Sequence, residues 1–500
     1  MLSSAFDSSQ PTSLVPDRNW VVPAVSVRLF LLCLLSYAGF FSPGNSNVIT
    51  RAALSLAIVQ RHALTIDPLA DFTTDRAFVD GAYYTDKAPG LSLLALPAVY
   101  TATKLLGYDT NTWMAPDGTL SPAFHIVVYL ATLSTVGVLT ALSVAASYRW
   151  SRRSGASHQA ALLAALTLGL ATPCFGWATV FFGHAASGAL LLLGFCGLSN
   201  ALDSKRRRVS RGTIAGLVLG TAFVIEFPTG PAVFIISVSC MVTAMAQRQP
   251  MRLMATVLVP ATLGLIAALI PLLVYNKLAF GAPLRLGYAS VQGFSGMQSG
   301  FFGLGRPDLR VARELLIGLY RGLLPLSPVL AMYPLAMTMS LRQGAWRLAA
   351  IVSVLVFLYY LLMNASYYYW NGGDSTGPRH LLPALPVLTL LFARLWDGAS
   401  RVPRALFMAL LVISAALSLA CAATDMWSPA NATTATIASL LARFLRGDID
   451  RVLLAQIPSL HGLIALLPLL LGWGFSLWRL WPTARLDIDR ETAPPDSTTR

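Results

Sequence analysis

Charge is what this 500-residue chain has least of: Asp, Glu, Lys and Arg together make 12% of it, against 55% hydrophobic residues. With a mean hydropathy of +0.63, this composition excludes an ordinary soluble domain, where charged residues are about a quarter of the total. Cysteine is also scarce. Cys33, Cys174, Cys196, Cys240 and Cys421 lie in or near apolar runs without metal-ligand spacing. They read as small buried hydrophobes, which excludes a disulfide framework and a zinc site. A repeat relating the two halves, common in transporters, is missing. So are the basic stretch and small-residue cleavage site of a signal peptide, and the first apolar run is therefore expected to be a retained anchor.

What the chain has instead is a succession of apolar runs, many near the ~20 residues that cross a bilayer as a helix. Only helices and closed barrels satisfy the backbone in lipid. The predicted fold class is therefore an all-α polytopic membrane protein. Runs near 24–41, 122–147, 159–178, 184–202, 212–228, 231–246, 253–275, 327–340, 348–363, 381–396, 404–423 and 461–481 give about twelve spans. Basic clusters sit in the short loops between them: Arg149, Arg152 and Arg153, then Lys205 to Arg208 with Arg211. Weaker ones follow at Arg248/Arg252, Arg342/Arg347 and Arg401/Arg404. The positive-inside rule places these loops in the cytoplasm. They also account for much of the net charge of +14, so no nucleic-acid partner is expected. Alternation of later loops holds if Thr50–Ala63 and Gly90–Leu106 are juxtamembrane helices rather than spans. The expected division is a cytoplasmic tail (1–23), a transmembrane domain (24–481) with a first outer loop at 42–121, and a disordered cytoplasmic tail (482–500).

That first outer loop is anomalous. Between Ser42 and Gly90 it gathers Asp67, Asp71, Asp75, Asp80 and Asp86 with Arg51, Arg61, His62, Arg76 and Lys87. An anchor has no need of such charge beside a bilayer, whereas chemistry on a charged substrate does. The other predicted outer segments share the pattern. Tyr275 to Tyr288 is dense in aromatics, Gly and Arg, and Tyr320-Arg321-Gly322 follows a Gly/Phe-rich stretch. Tyr367 to Trp370 leads through Asn371 and Asp374 to Gly377-Pro378-Arg379-His380. Lys87, Arg321 and Arg379 suit a phosphate clamp, Arg as a bidentate fork and Lys as a point charge. Singly, each is equally explained by snorkelling, and the tyrosines by an interfacial aromatic belt. His184 starts an apolar run at the outer side, where ionisable residues are often functional. Glu226, at a tight outer turn, reads either as a ligand contact or as a partner for a helix N-terminus.

These segments resemble the bacterial branch of the GT-C membrane glycosyltransferases, which includes the aminoarabinose, protein O-mannosyl and Rgt-type transferases. The resemblance rests on Asn47 to Arg51, Leu64 to Asp67, Thr74 to Ala77, and Asp80-Gly-Ala-Tyr83-Tyr84-Thr-Asp86-Lys87-Ala-Pro89-Gly90. Phe182-Gly-His184, Tyr275 to Tyr288, Tyr320 to Gly322 and Gly377 to His380 complete it. It implies a GT-C-like bundle that moves a sugar from a polyprenyl-phosphate donor to a lipid, glycan or protein acceptor. The site would face the periplasm of a bacterial inner membrane, and transfer would be inverting. Relatives carry an Asp-Glu motif before the Arg; here Val48, Ile49 and Thr50 stand there. The expected base is therefore Asp86, with Asp75 second. Lys87, Arg51, Arg321, Arg379 and His380 are expected at the donor phosphate, and Tyr83, Tyr84, His184, Tyr288, Trp370 and Asp374 at the substrate. No cofactor is expected; a divalent metal is left open but not indicated. A transporter or lipid flippase, or a non-catalytic GT-C-like subunit, are the alternatives.

Overall fold

The computed structural model describes residues 21–108, 113–115, 117–204, 206–342, 344–429 and 436–481. The two expected tails and Lys205 lie outside these, apart from the last few residues of the first tail.

All twelve predicted apolar runs are helical, but they differ in length. Among the described residues, eight helices are long and apolar enough to cross a bilayer, from Pro122–Arg153 through Gly462–Leu480. The run at 381–396 is a pair, Arg379–Thr389 and Phe392–Gly398, bent by 41°. Val22–Ala38 and His158–Leu170 are shorter. The run at 327–340 is a 3₁₀ turn (Pro328–Met332) leading into the short helix Tyr333–Ser340.

Local sequence explains where the helices begin and end. Ser121 caps the helix Pro122–Thr132, accepting from the Phe124 N–H at 3.3 Å, and Pro122 fills a position that needs no N–H. The helix continues through a π turn, Leu133–Gly137, and ends on Arg152 and Arg153, whose charge suits a helix C-terminus. The helix ends split into two groups. Arg152, Arg153, Arg208, Arg211, Arg347 and Arg401 sit at the ends opposite to those bearing His184, Ile225, Ala365 and Arg379. Contacts at the basic end confirm the grouping: Trp346 Nε1 donates to Ser154 O, and Ser157 to Asp397.

One helix pair is packed unusually closely. Gly212, Gly216 and Gly220 of Arg208–Ile225 face Val257, Ala261 and Leu265 of the segment that ends in Val259–Phe280. A Cβ at Gly216 would overlap the Ala261 carbonyl, and one at Gly264 the Thr213 carbonyl. Small residues at this spacing let two backbones touch where lipid offers no hydrophobic drive to association. Gly216→Val is therefore expected to lower the thermal unfolding midpoint of the detergent-purified protein, with an overpacking cost of about 1–3 kcal/mol. Gly472→Ala, where an added Cβ meets nothing within 4 Å, serves as the silent control.

The end opposite the basic clusters carries the first loop. Asn45 caps Ser46–Leu56, accepting from the N–H groups of Asn47 and Val48. The helix runs on through Ala57–Arg61 and stops at His62, which takes a left-handed conformation. A second helical run follows at Gly90–Leu94, Leu96–Tyr100 and Thr101–Leu105. Both expected juxtamembrane helices are thus present, but the first is no surface element, because Asn47 through Leu56 are all buried. The all-helical expectation needs one correction. A hairpin, Arg76–Val79 with Ala82–Thr85, pairs antiparallel in the register Arg76 to Thr85. Its turn, Asp80-Gly81, has positive φ at both residues (50° and 83°), the conformation that two-residue hairpins require.

Candidate active site

The hairpin aims the end of the loop. Ile66 N donates to Tyr83 O (2.7 Å), and Tyr83 N donates to Asp67 Oδ1 (2.7 Å), so Asp67 fixes the second strand. The other edge is bridged by Ala77 to Val291, with Gln292 N donating to Arg76 O. Asp86 and Lys87 follow directly. Gly287 presses on them so closely that a Cβ there would sit 2.9 Å from the Asp86 carbonyl oxygen.

Lys87 is the centre of a small charged cluster. Its Nζ donates to Asp86 Oδ2 (2.8 Å) and pairs with Asp75 Oδ1 at 3.3 Å. Asp75 is held by its own N–H on Thr73 Oγ1, which in turn donates to Ser46 O. The second oxygen of Asp86, Oδ1, is buried and accepts no hydrogen bond. Burial pushes the Asp86 carboxyl up to about 6, opposed by the Lys87 ammonium and assisted by Asp75. Burial pulls Lys87 the other way, yet its two aspartates outweigh that and hold it charged, well above its ordinary range.

Asp75, Asp86 and Lys87 open onto a cleft of about 220 Å³. His184, Glu226, Tyr288, Asp374, Arg379 and His380 also line it, as do Asn45, Asn47, Thr74 and the Tyr367–Tyr369 run. His184 and His380 stand edge to face at 5.3 Å, and His380 Nδ1 bonds Asn364 Oδ1 at 3.0 Å. The Arg379 guanidinium lies 5.0 Å over the Phe182 ring, and its Nε is buried without a partner. Gly372 (φ 73°) makes room for it, since a Cβ there would lie 2.9 Å from that Nε.

The cleft thus brings together Asp75, Asp86, Lys87, His184, Tyr288, Asp374, Arg379 and His380 from the sequence reading. It does not include the other five. Arg51 is buried behind it, with Nε on Asn47 Oδ1 (2.9 Å), Nη2 on Glu226 Oε1 (2.5 Å) and Nη1 on the carbonyls of Ala88 and Ile225. Each of its three nitrogens already donates and it does not line the cleft, so the expected phosphate contact is corrected to a loop clamp. Arg321 is likewise fully buried, donating to the carbonyls of Gly373, Ser428 and Pro429 and stacking on Tyr320 at 4.3 Å. Tyr83 lies under Arg76 and against Phe78, and Tyr84 against Phe280. Trp370 packs on Tyr320. These three aromatics are packing residues of the loops.

Glu226 was underrated by the sequence. It lines the cleft, pairs with Arg51, and reaches within 4.0 Å of His184 Nδ1. Its partner is 175 positions away, which no local pattern reveals. Gly183 is required beside it, because a Cβ there would collide with the Glu226 carboxylate. Glu226→Gln leaves Arg51 charged, buried and unpaired, and is expected to destabilise the protein by about 3–5 kcal/mol. Replacing Arg51 and Glu226 together by Leu should recover most of that loss. Thermal unfolding of the three variants in one detergent checks both expectations; additive losses would sink the clamp.

No known family model and no curated protein sequence matches the chain. Its likeness is to solved structures. ArnT from Cupriavidus metallidurans bound to undecaprenyl phosphate superposes with a TM-score of 0.53 at 16% identity, covering 95% of this chain and 81% of that one. The apo state of the same protein gives 0.51 at 17%, covering 93% and 77%. The match extends over nearly the whole chain, and the protein therefore shares its membrane fold with ArnT.

Proposed function

We propose that the protein is a GT-C-type glycosyltransferase. It takes a sugar from a polyprenyl-phosphate donor and passes it to a lipid, glycan or protein hydroxyl at the periplasmic face of a bacterial inner membrane. The observation that carries this reading is Asp86 Oδ1, a buried carboxylate oxygen on the cleft with no partner, beside an ammonium that holds the other oxygen.

In the proposed reaction Asp86 Oδ1 removes the proton of the acceptor hydroxyl. The acceptor oxygen bonds to the anomeric carbon as the bond from that carbon to the phosphate oxygen breaks, inverting its configuration. The electron pair leaves with the lipid phosphate. Arg379, whose Nε is unpartnered, and Lys87 stabilise the charge that builds there. Asp75 keeps Lys87 in place from behind. Tyr288, Asp374 and the tyrosines from Tyr367 to Tyr369 supply the polar and aromatic surfaces that sugar rings favour. The basic helix ends opposite the cleft support this orientation.

The reading is tested by incubating purified protein with a panel of polyprenyl-phosphate sugars and a membrane lipid extract, and measuring free polyprenyl phosphate. At least one donor is expected to be consumed. A protein that moves a solute or lipid across proteoliposomes and consumes no donor would overturn it.

A further inference from the structure

A second opening lies on the far part of the juxtamembrane helix whose N-terminus borders the cleft. It is a groove of about 780 Å³ between Ala53–Arg61 and the 103–108 segment, and it shares no lining residue with the cleft. Its floor is apolar, with Leu56, Ile66 and Leu69; Gln60, Arg61 and Lys104 supply N–H donors, Thr103 and Tyr108 add hydroxyls, and among the described residues no acidic one lines it. Gln60 Nε2 is buried with no hydrogen-bond partner. Lys104 forms no ion pair among the described residues, and Arg61 spends one nitrogen on the Thr65 carbonyl.

The surroundings indicate where the ligand comes from. Tyr100, Leu105 and Leu106, on the helical run that carries Lys104, are 53%, 69% and 59% exposed. Large apolar side chains beside an unpaired lysine, at the end of a juxtamembrane helix, suit the boundary between acyl chains and headgroups. Two cationic side chains with no acidic one among the described lining residues, above an apolar floor, suit an anion that carries an apolar tail. The volume falls within the ~300–1,000 Å³ of small-molecule sites.

We propose that this groove holds the phosphate headgroup of an anionic bilayer phospholipid, at a site separate from the catalytic cleft. The inference needs the chain to sit in a membrane but does not rest on sugar transfer.

The test is native mass spectrometry of the full-length protein released from bilayers of mixed phosphatidylglycerol and phosphatidylcholine. The wild type is expected to retain phosphatidylglycerol preferentially. Arg61→Gln and Lys104→Gln should each lower that preference about fivefold, as expected for loss of one basic contact to an anionic membrane. Gln60→Leu, which changes no charge, should also lower it, which diffuse surface attraction would not produce. Unchanged preference in the Arg61→Gln, Lys104→Gln double variant, or in Gln60→Leu, would overturn the site. Displacement of phosphatidylglycerol by added polyprenyl phosphate would overturn its assignment to a bilayer phospholipid. Donor consumption, read separately, keeps this outcome distinct from that of the proposed transfer.

Discussion

Asp86→Asn is expected to lower transfer by about 10²–10⁴-fold, the usual contribution of a positioned general base. The substitution preserves shape, and Lys87 keeps its second partner, Asp75, at 3.3 Å. What disappears is a buried carboxylate oxygen at the cleft that accepts no hydrogen bond. Asp75→Asn should cost less, since Asp75 bears on the reaction through Lys87. The pH profile provides a separate readout. Burial holds the Asp86 carboxyl near about 6, so a base there is ionised above that pH and protonated below it. Transfer by the wild type should therefore be level above pH 7 and fall tenfold per unit well below pH 6. The measurement is initial donor consumption from pH 4.5 to 8 in one detergent. If Asp86→Asn and Asp75→Asn both keep full activity, neither residue is the base.

Much of this site was readable in the chain, and the parts that were not have a common cause. Charge beside a bilayer is costly, so a loop that collects Asp75, Asp86 and Lys87 announces itself. The Gly-Pro-Arg379-His380 turn does the same, because Gly and Pro shape backbone where no membrane anchor needs it. Helical spans were legible from their length and apolarity, but the bend between Thr389 and Phe392 and the shortness of Tyr333–Ser340 were not. Composition does not report how a helix is interrupted. The hairpin had a visible sign in Asp80-Gly81, set between Phe78-Val79 and Tyr83-Tyr84. An acidic loop read for charge hid it.

The arginines show the limit more sharply. Arg51, Arg321 and Arg379 look alike in sequence, and each is expected on the outer side, where basic residues are disfavoured. Partners distant along the chain separate them. Arg51 finds Glu226 and two carbonyls, Arg321 finds three carbonyls and a ring, and Arg379 alone of the three lines the cleft, with its Nε unpartnered. The absent acid before Arg51 resolves in a similar way. Val48 is buried and does not line the cleft, whereas Asn47 lines it and accepts from Arg51 Nε.

Lys87→Met carries the other large expectation, a loss at pH 7 of about 10²–10³-fold, the scale of removing a preorganised charge from a reacting centre. Two effects contribute, and they separate with pH. Lys87 faces the departing phosphate in the proposed reaction, and it also holds Asp86 ionised. Without the ammonium, Asp86 and Asp75 are left as neighbouring carboxylates, and both burial and their mutual repulsion favour the protonated form. The folded-state pKa of Asp86 then rises above about 6, so the lower limb of the pH profile should move to higher pH. Raising the pH should restore the part of the loss that comes from protonating the base. The part that comes from the missing charge at the phosphate should persist at every pH. Lys87→Arg, which keeps the charge, should leave the limb in place and lose mainly through geometry. A Lys87→Met profile that drops without shifting would show that Lys87 acts on the leaving group alone, and would remove the reason for pairing it with Asp86 in the mechanism.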